Sequence, residues 1–169
     1  FEQALRTRVR LIRGLERQVM EEVRRERITF APGGRALVHT MKAFGAYTSL
    51  VSGGFTFFTS RVATLAGFHD NRANTLKDDG KALTGAVGMP ILGREAKLAA
   101  LKEEASKIGA APADAIALGD GANDLAMIKE AGLGIAYREV QEKFRAGRFE
   151  WSDGELTFRT NDLGPSHRH

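Results

Sequence analysis

"GDGANDLAMIKEAG", residues 119–132, decides how this chain folds. Ahead of it runs the short apolar segment Ala115-Ile116-Ala117-Leu118. An apolar run that ends in Gly-Asp-Gly and flows into a helical pattern reads as a buried parallel strand, a tight turn and a helix. Asp120, Asn123 and Asp124 then sit at the carboxyl end of a strand. In open α/β sheets that edge is where ligands bind, and hard oxygen donors there suit Mg²⁺ and a phosphate better than any soft metal.

Working outward, the same alternation continues. "GREAKLAALKEEASKIG" predicts a helix from Arg94 to Ile108 closed by Gly109, with Pro112 in the loop before the strand. "LGIAY" supplies a further short strand. On the other side, "AYTSLVS" is a β-rich apolar run, and "GGFTFFTSRVATLAG" predicts a turn and a helix. "RALVHTMKAFG" is a helix stopped by Gly45. Phe1, Leu5, Val9, Ile12 and Leu15 recur at helical spacing, so an amphipathic helix opens the chain and ends near Gly14. "ERQVMEEVRRER" continues in helical style. Within residues 73–88 two strand-like runs flank Asp78-Asp79-Gly80-Lys81, which predicts an antiparallel hairpin. Helices alternating with strands imply a parallel α/β sheet.

Composition narrows the chemistry. The 169 residues contain no cysteine, which excludes disulfides, thiolate catalysis and thiolate metal sites. No apolar run approaches the roughly 18–20 residues a membrane span needs, so the expectation is no membrane partner and a cytoplasmic location. Lys and Arg outnumber Asp and Glu by 25 to 21. That excess is scattered among glutamates, as in Arg24-Arg25-Glu26-Arg27, and no basic-aromatic pattern accompanies it, so nucleic acid is not the expected partner.

Single features remain open to two readings. Ser52 before Gly53 and Gly54 is either the cap of an ordinary strand-to-helix turn or a phosphate cradle, where glycine admits a ligand to the backbone. Lys97 is either a solvated lysine or a cation aimed at an anion. Asp124 is either a helix cap or part of a metal site.

Taken together, Arg8, "VSGGF" at 51–55, the "DGKALTG" hairpin, Lys97 and "GDGANDLAMIKEAGLGIAY" resemble the haloacid dehalogenase (HAD) superfamily of phosphohydrolases, specifically its phosphoserine-hydrolysing branch. The resemblance runs from Phe1 to about Tyr137. It implies a Rossmannoid parallel sheet flanked by helices, with residues 1–27 as the remnant of a helical cap, 28–138 as the core and 139–169 as a divergent segment, loose at its end from 152. It also implies a Mg²⁺-dependent phosphatase that converts O-phospho-L-serine to L-serine and phosphate, the last step of serine synthesis.

Residue roles follow from the same resemblance. Asp120 is a direct Mg²⁺ ligand, Asp124 supports the metal shell or orients Lys97, and Asn123 contacts phosphate or substrate. Ser52 and Gly53 hold the phosphate, while Lys97 neutralises charge that builds up during transfer. Arg8 grips the substrate carboxylate, which a planar guanidinium can bind in a bidentate fashion. Phe1 lines the same pocket.

The family's chemistry begins at Asp-x-Asp-x-Thr on a central first strand, where one Asp attacks phosphorus and the other moves protons. No Asp-x-Asp occurs between Phe1 and His169. The chain is therefore expected to be an amino-terminally truncated form, inactive alone, whose strands "AYTSLVS" and "AIALGDG" lack the neighbour between them. Asp70, Asp78 and Asp79 are expected in the flap or loop region and are not expected to replace the nucleophile. The contrasting expectation is a non-catalytic remnant that binds a phosphorylated ligand or pairs with a partner.

Overall fold

The computed structural model describes residues 2–137, 147–152 and 155–160. Phe1, the tail from 161 and the stretch 138–146 lie outside them, together with the expectations placed there. Contacts divide the chain into two compact units, Phe1–Glu104 and Ala105–His169. No described helix is long and apolar enough to cross a membrane.

The first unit opens with three helices, α1 (Glu2–Leu11), α2 (Arg17–Glu26) and α3 (Gly34–Ala43). Each buries one side chain of its apolar stripe, Val9, Met20 and Val38 respectively. A parallel βαβ unit follows, made of β1 (Ser49–Phe55), α4 (Thr56–Ala66) and β2 (Asp70–Asn74). Register pairs Ser49 with Asp70 and Val51 with Arg72. Asp70 thus opens a parallel strand and does not belong to a flap. β1 also runs on through Gly53 and Gly54 to Phe55, three residues past its predicted end at Ser52.

The predicted hairpin forms from β3 (Leu76–Asp78) and β4 (Leu83–Val87). Its turn is organised by side chains. Asp78 accepts the Gly80 N–H, and Asp79 accepts those of Lys81 and Ala82, all at 2.9 Å. The α1–α2 connection is stitched to this hairpin: Gly14 N–H donates to Leu83 O at 2.8 Å, Leu83 N–H to Leu15 O at 2.9 Å, and Arg17 N–H to Lys81 O at 2.9 Å. Gly85, at φ +77°, lies beneath the end of α1 and the turn that follows it, where a Cβ would stand 3.5 Å from Cα of Arg10 and 2.9 Å from Cβ of Arg13. Only glycine admits the end of α1 and its following turn this close.

Helix α5 (Arg94–Lys107) carries the last residues of this unit. Arg72 of β2 anchors it through Glu103 at 2.5 Å and through the buried Glu104, and reaches back to Asp70 at 3.4 Å. Burial pushes the Asp70 carboxyl up, but hydrogen bonds from the Asn71 backbone and from Arg72 outweigh it and hold it below the usual carboxylate range.

The second unit repeats the βαβ theme with β5 (Ile116–Gly119), α6 (Leu125–Glu130) and β6 (Leu133–Ala136) in parallel register from Ile116↔Leu133 to Gly119↔Ala136. β5 was expected to be buried. Ala117 and Gly119 are, but Ile116 and Leu118 are 50 % and 47 % exposed, and Leu133 opposite is 49 % exposed. Period-2 alternation explains the split: α6 packs on the strand pair, and the side chains at 116, 118 and 133 project from one face. An antiparallel pair, β7 (Gly147–Ser152) and β8 (Glu155–Thr160), replaces the decay into a polar tail predicted from residue 152. Among the described residues β1 has β2 as its ladder partner and β5 has β6, so neither belongs to a larger sheet.

Candidate functional site

Ser52 and Gly53 lie in an interruption of the β1–β2 ladder. Val51 pairs with Arg72 and Phe55 with Asn74, so residues 52–54 of β1 face Ala73 alone. Such a bulge frees backbone groups from the ladder and re-aims them. Ser52 Oγ accepts the Gly54 N–H at 3.0 Å, which fixes the hydroxyl oxygen and leaves its proton to donate elsewhere. Helix α4 begins at once after Phe55, which serves as its amino-terminal cap without a side-chain hydrogen bond. Its first N–H groups therefore lack the side-chain partner a capping Ser or Asp would supply, the condition under which a helix start attracts an anion.

The Gly53 carbonyl has its own partner. Asn74, only 1 % exposed, donates from Nδ2 to Gly53 O at 2.9 Å, while its Oδ1 accepts the Leu92 N–H at 2.7 Å. Leu92 stands two residues before α5, on which Lys97 is half-buried. Sequence reading missed Asn74 altogether. It closes the irregular, polar run "DNRAN", whose lack of periodicity concealed a strand.

The second group sits in the β5–α6 loop. Asp120 and Asn123 are exposed, and Asp124 is 1 % exposed. The Asp124 carboxylate does not cap α6. Its Oδ2 turns back to accept the N–H of Asp120 at 3.1 Å and of Gly121 at 3.0 Å. Gly119 makes room for this: a Cβ there would stand 2.6 Å from Asp124 Oδ2. The helix-cap reading of Asp124 is thereby corrected, and the residue organises the loop that presents Asp120.

Among the described residues no three or more His, Asp or Glu form a metal-holding group. The loop nevertheless fits a share in a Mg²⁺ site. It offers one exposed carboxylate on a backbone held by a second, and Mg²⁺ takes one or two carboxylates while keeping several waters. Arg8 is exposed on α1, in the first unit with Ser52, Gly53 and Lys97.

Comparison with known proteins gives a consistent picture. A family model described as haloacid dehalogenase-like hydrolase matches residues 1–129. The phosphoserine phosphatase of Albidiferax ferrireducens is 43 % identical over 141 residues, covering 81 % of this chain and 60 % of that protein. That of Archaeoglobus fulgidus is 39 % identical over 137 residues, covering 81 % of this chain and 40 % of that protein. Among solved structures, a probable phosphoserine phosphatase from Vibrio cholerae in unliganded form superposes with a TM-score of 0.78 at 34 % identity, over 85 % of this chain and 45 % of that one. A substrate-bound phosphoserine phosphatase complex gives 0.74 at 31 % identity, over 86 % of this chain and 76 % of that one. The chain thus spans 60 % or less of the length of these two curated relatives.

Proposed function

Because this chain belongs to the haloacid dehalogenase-like hydrolase family, we propose that it carries the substrate-binding part of a phosphatase that hydrolyses O-phospho-L-serine to L-serine and phosphate. The observation that carries this reading is the β1 bulge: a serine hydroxyl and two glycines set immediately before a helix whose first turn lacks a side-chain cap. That chemistry binds a phosphoryl group.

Each residue has a task that its surroundings support. Ser52 donates its hydroxyl proton to a phosphate oxygen, and Gly53 offers its backbone without a side chain in the way. Lys97 on α5 adds a positive charge that stabilises the more highly charged transition state. Asn123, exposed in the same loop as Asp120, contacts the phosphate or the serine moiety. Arg8 pairs with the carboxylate that distinguishes phosphoserine from simpler phosphomonoesters. Asp120, on a loop braced by Asp124, would hold a Mg²⁺ ion, which would supply positive charge to the phosphoryl group. Residues 1–27 belong to a cap and residues 28–138 to the core, in the cytoplasm, and the reaction closes serine biosynthesis.

The attacking carboxylate of this chemistry belongs to an Asp-x-Asp-x-Thr segment, and residues 1–169 contain none. Turnover therefore requires that segment to be joined to this chain. The test is phosphate release from phosphoserine, with and without Mg²⁺, by the 169-residue chain and by a form extended upstream to include the motif. Release by the extended form alone is the expected result. Mg²⁺-dependent release by the 169-residue chain would place the nucleophile elsewhere and overturn this division of labour. A second reading, a non-catalytic phospho-ligand-binding or strand-pairing protein, is favoured by the single ladder partners of β1 and β5 among the described residues. It predicts phosphoserine binding without turnover in either form.

A further inference from the structure

The side chain of Asn74 makes two hydrogen bonds of opposite polarity to two segments that each carry a proposed phosphate-binding residue. It donates to Gly53 O in the β1 bulge and accepts from Leu92 N at the approach to α5. We propose that Asn74 is a positioning residue for the phosphate site, holding the Ser52–Gly53 bulge and the Lys97 helix in one fixed relation. The inference rests on the phosphate-binding reading given above.

Three features point this way. The bulge removes Gly53 from the β1–β2 ladder, so its carbonyl needs a partner that β2's backbone does not supply. A carbonyl partly withdrawn from water and out of the ladder is costly to leave unpaired, and the side chain of the residue opposite Phe55 reaches it. The second bond, to Leu92, lies five residues before Lys97, within reach of the first turn and a half of α5. Finally, the residue type is constrained. A carboxylate can only accept, a Leu can do neither, and a Gln is one methylene too long for a site with 1 % exposure. Asn74 touches no substrate in this scheme. It acts through Ser52, Gly53 and Lys97.

A double-mutant cycle separates positioning from simple stabilisation. Binding of inorganic phosphate in the presence of Mg²⁺ is measured by calorimetry for the unaltered chain, N74A, K97A, S52A and the combinations N74A/K97A and N74A/S52A. Temperatures are kept well below each variant's melting point. We expect N74A to weaken phosphate binding about ten-fold, and to weaken it less than about three-fold once Lys97 or Ser52 has already been removed. Where N74A does not fold, N74L, which preserves most of the volume and makes neither bond, takes its place. A lowered melting temperature with unchanged phosphate affinity makes Asn74 a structural residue only and overturns the proposal. Equal losses in every background do the same. Absence of phosphate binding by the unaltered chain overturns the functional reading itself and the positioning role with it, an outcome distinct from binding that N74A leaves intact.

Discussion

The carboxylate of Asp124 accepts the backbone N–H of Asp120 at 3.1 Å, so the two acids of one loop have different environments and different work. Asp124 is sealed in and Asp120 faces outward. Substituting Asp124 by Ala leaves two N–H groups without this acceptor and should cost about 1–3 kcal/mol of stability. Asp120→Asn, at an exposed position, should change stability by less than about 0.5 kcal/mol while removing any Mg²⁺-induced rise in melting temperature. Thermal denaturation with and without Mg²⁺ reads both effects. Equal destabilisation by the two variants would contradict the division of roles.

Gly119 supplies an independent check on the same loop. A methyl group there would stand 2.6 Å from Asp124 Oδ2, and 2.5 Å from its Cγ. Gly119→Ala should therefore displace Asp124 and cost about 1–3 kcal/mol, as overpacking in a closed site does. Denaturant unfolding measures it. A neutral substitution would show that the carboxylate relocates freely, and the proposed support of Asp120 would lose its basis.

Elements marked by local chemistry were legible in the sequence. Gly-Asp-Gly after an apolar run announced β5 and its loop, and Asp78-Asp79-Gly80-Lys81 announced the hairpin turn that both aspartates organise through their own side chains. What escaped depends on pairing. "DNRAN" becomes a strand because it lies in parallel register against Ser49–Val51, a long-range contact that no five-residue window with four polar residues reveals. For the same reason the continuation of β1 past Ser52 was hidden, since glycines read as a turn while the partner strand holds them as a bulge. In the loop at 119–124 the residue types were legible, but the direction of the Asp124 carboxylate was not. A cap and a loop brace have the same sequence. "GRFEWSDGELTFRT" did carry a hairpin signal, alternation around Ser-Asp-Gly, which the polar residues after it obscured.

The Arg17–Asp78 pair joins α2 to the hairpin, with Nη1 and Oδ1 2.9 Å apart. The Arg17 hydrogen bond, reinforced by the Gly80 N–H, holds the Asp78 carboxyl below its ordinary value. A carboxyl depressed in the folded state favours folding at pH above its unfolded pKa of about 3.9, and that contribution disappears as pH falls through the folded value. Arg17→Met should move the Asp78 titration upward and flatten the acid limb of the stability curve. Carbon NMR of the Asp side chains follows the shift directly. An unchanged Asp78 titration in the variant would mean that the backbone donor alone sets it.

Arg8 is exposed on α1, and α1 is held against β4 over Gly85. If Arg8 reads the substrate carboxylate, its removal should penalise only ligands that possess one. Arg8→Ala is expected to weaken phosphoserine binding about ten- to a hundred-fold, consistent with loss of a charged hydrogen-bonded pair worth ~1.5–3 kcal/mol. Phosphoethanolamine, which has the amine and phosphate without the carboxylate, should bind within about two-fold of its original affinity. Arg8→Lys should recover only part of the loss, because an ammonium lacks the planar fork. Stability should stay within about 0.5 kcal/mol of the unaltered chain, as for most exposed positions. Calorimetric titration with the two ligands makes the comparison in one protein. A parallel loss for both would assign Arg8 to the phosphate or to the fold, and phosphoserine selectivity would then need another source.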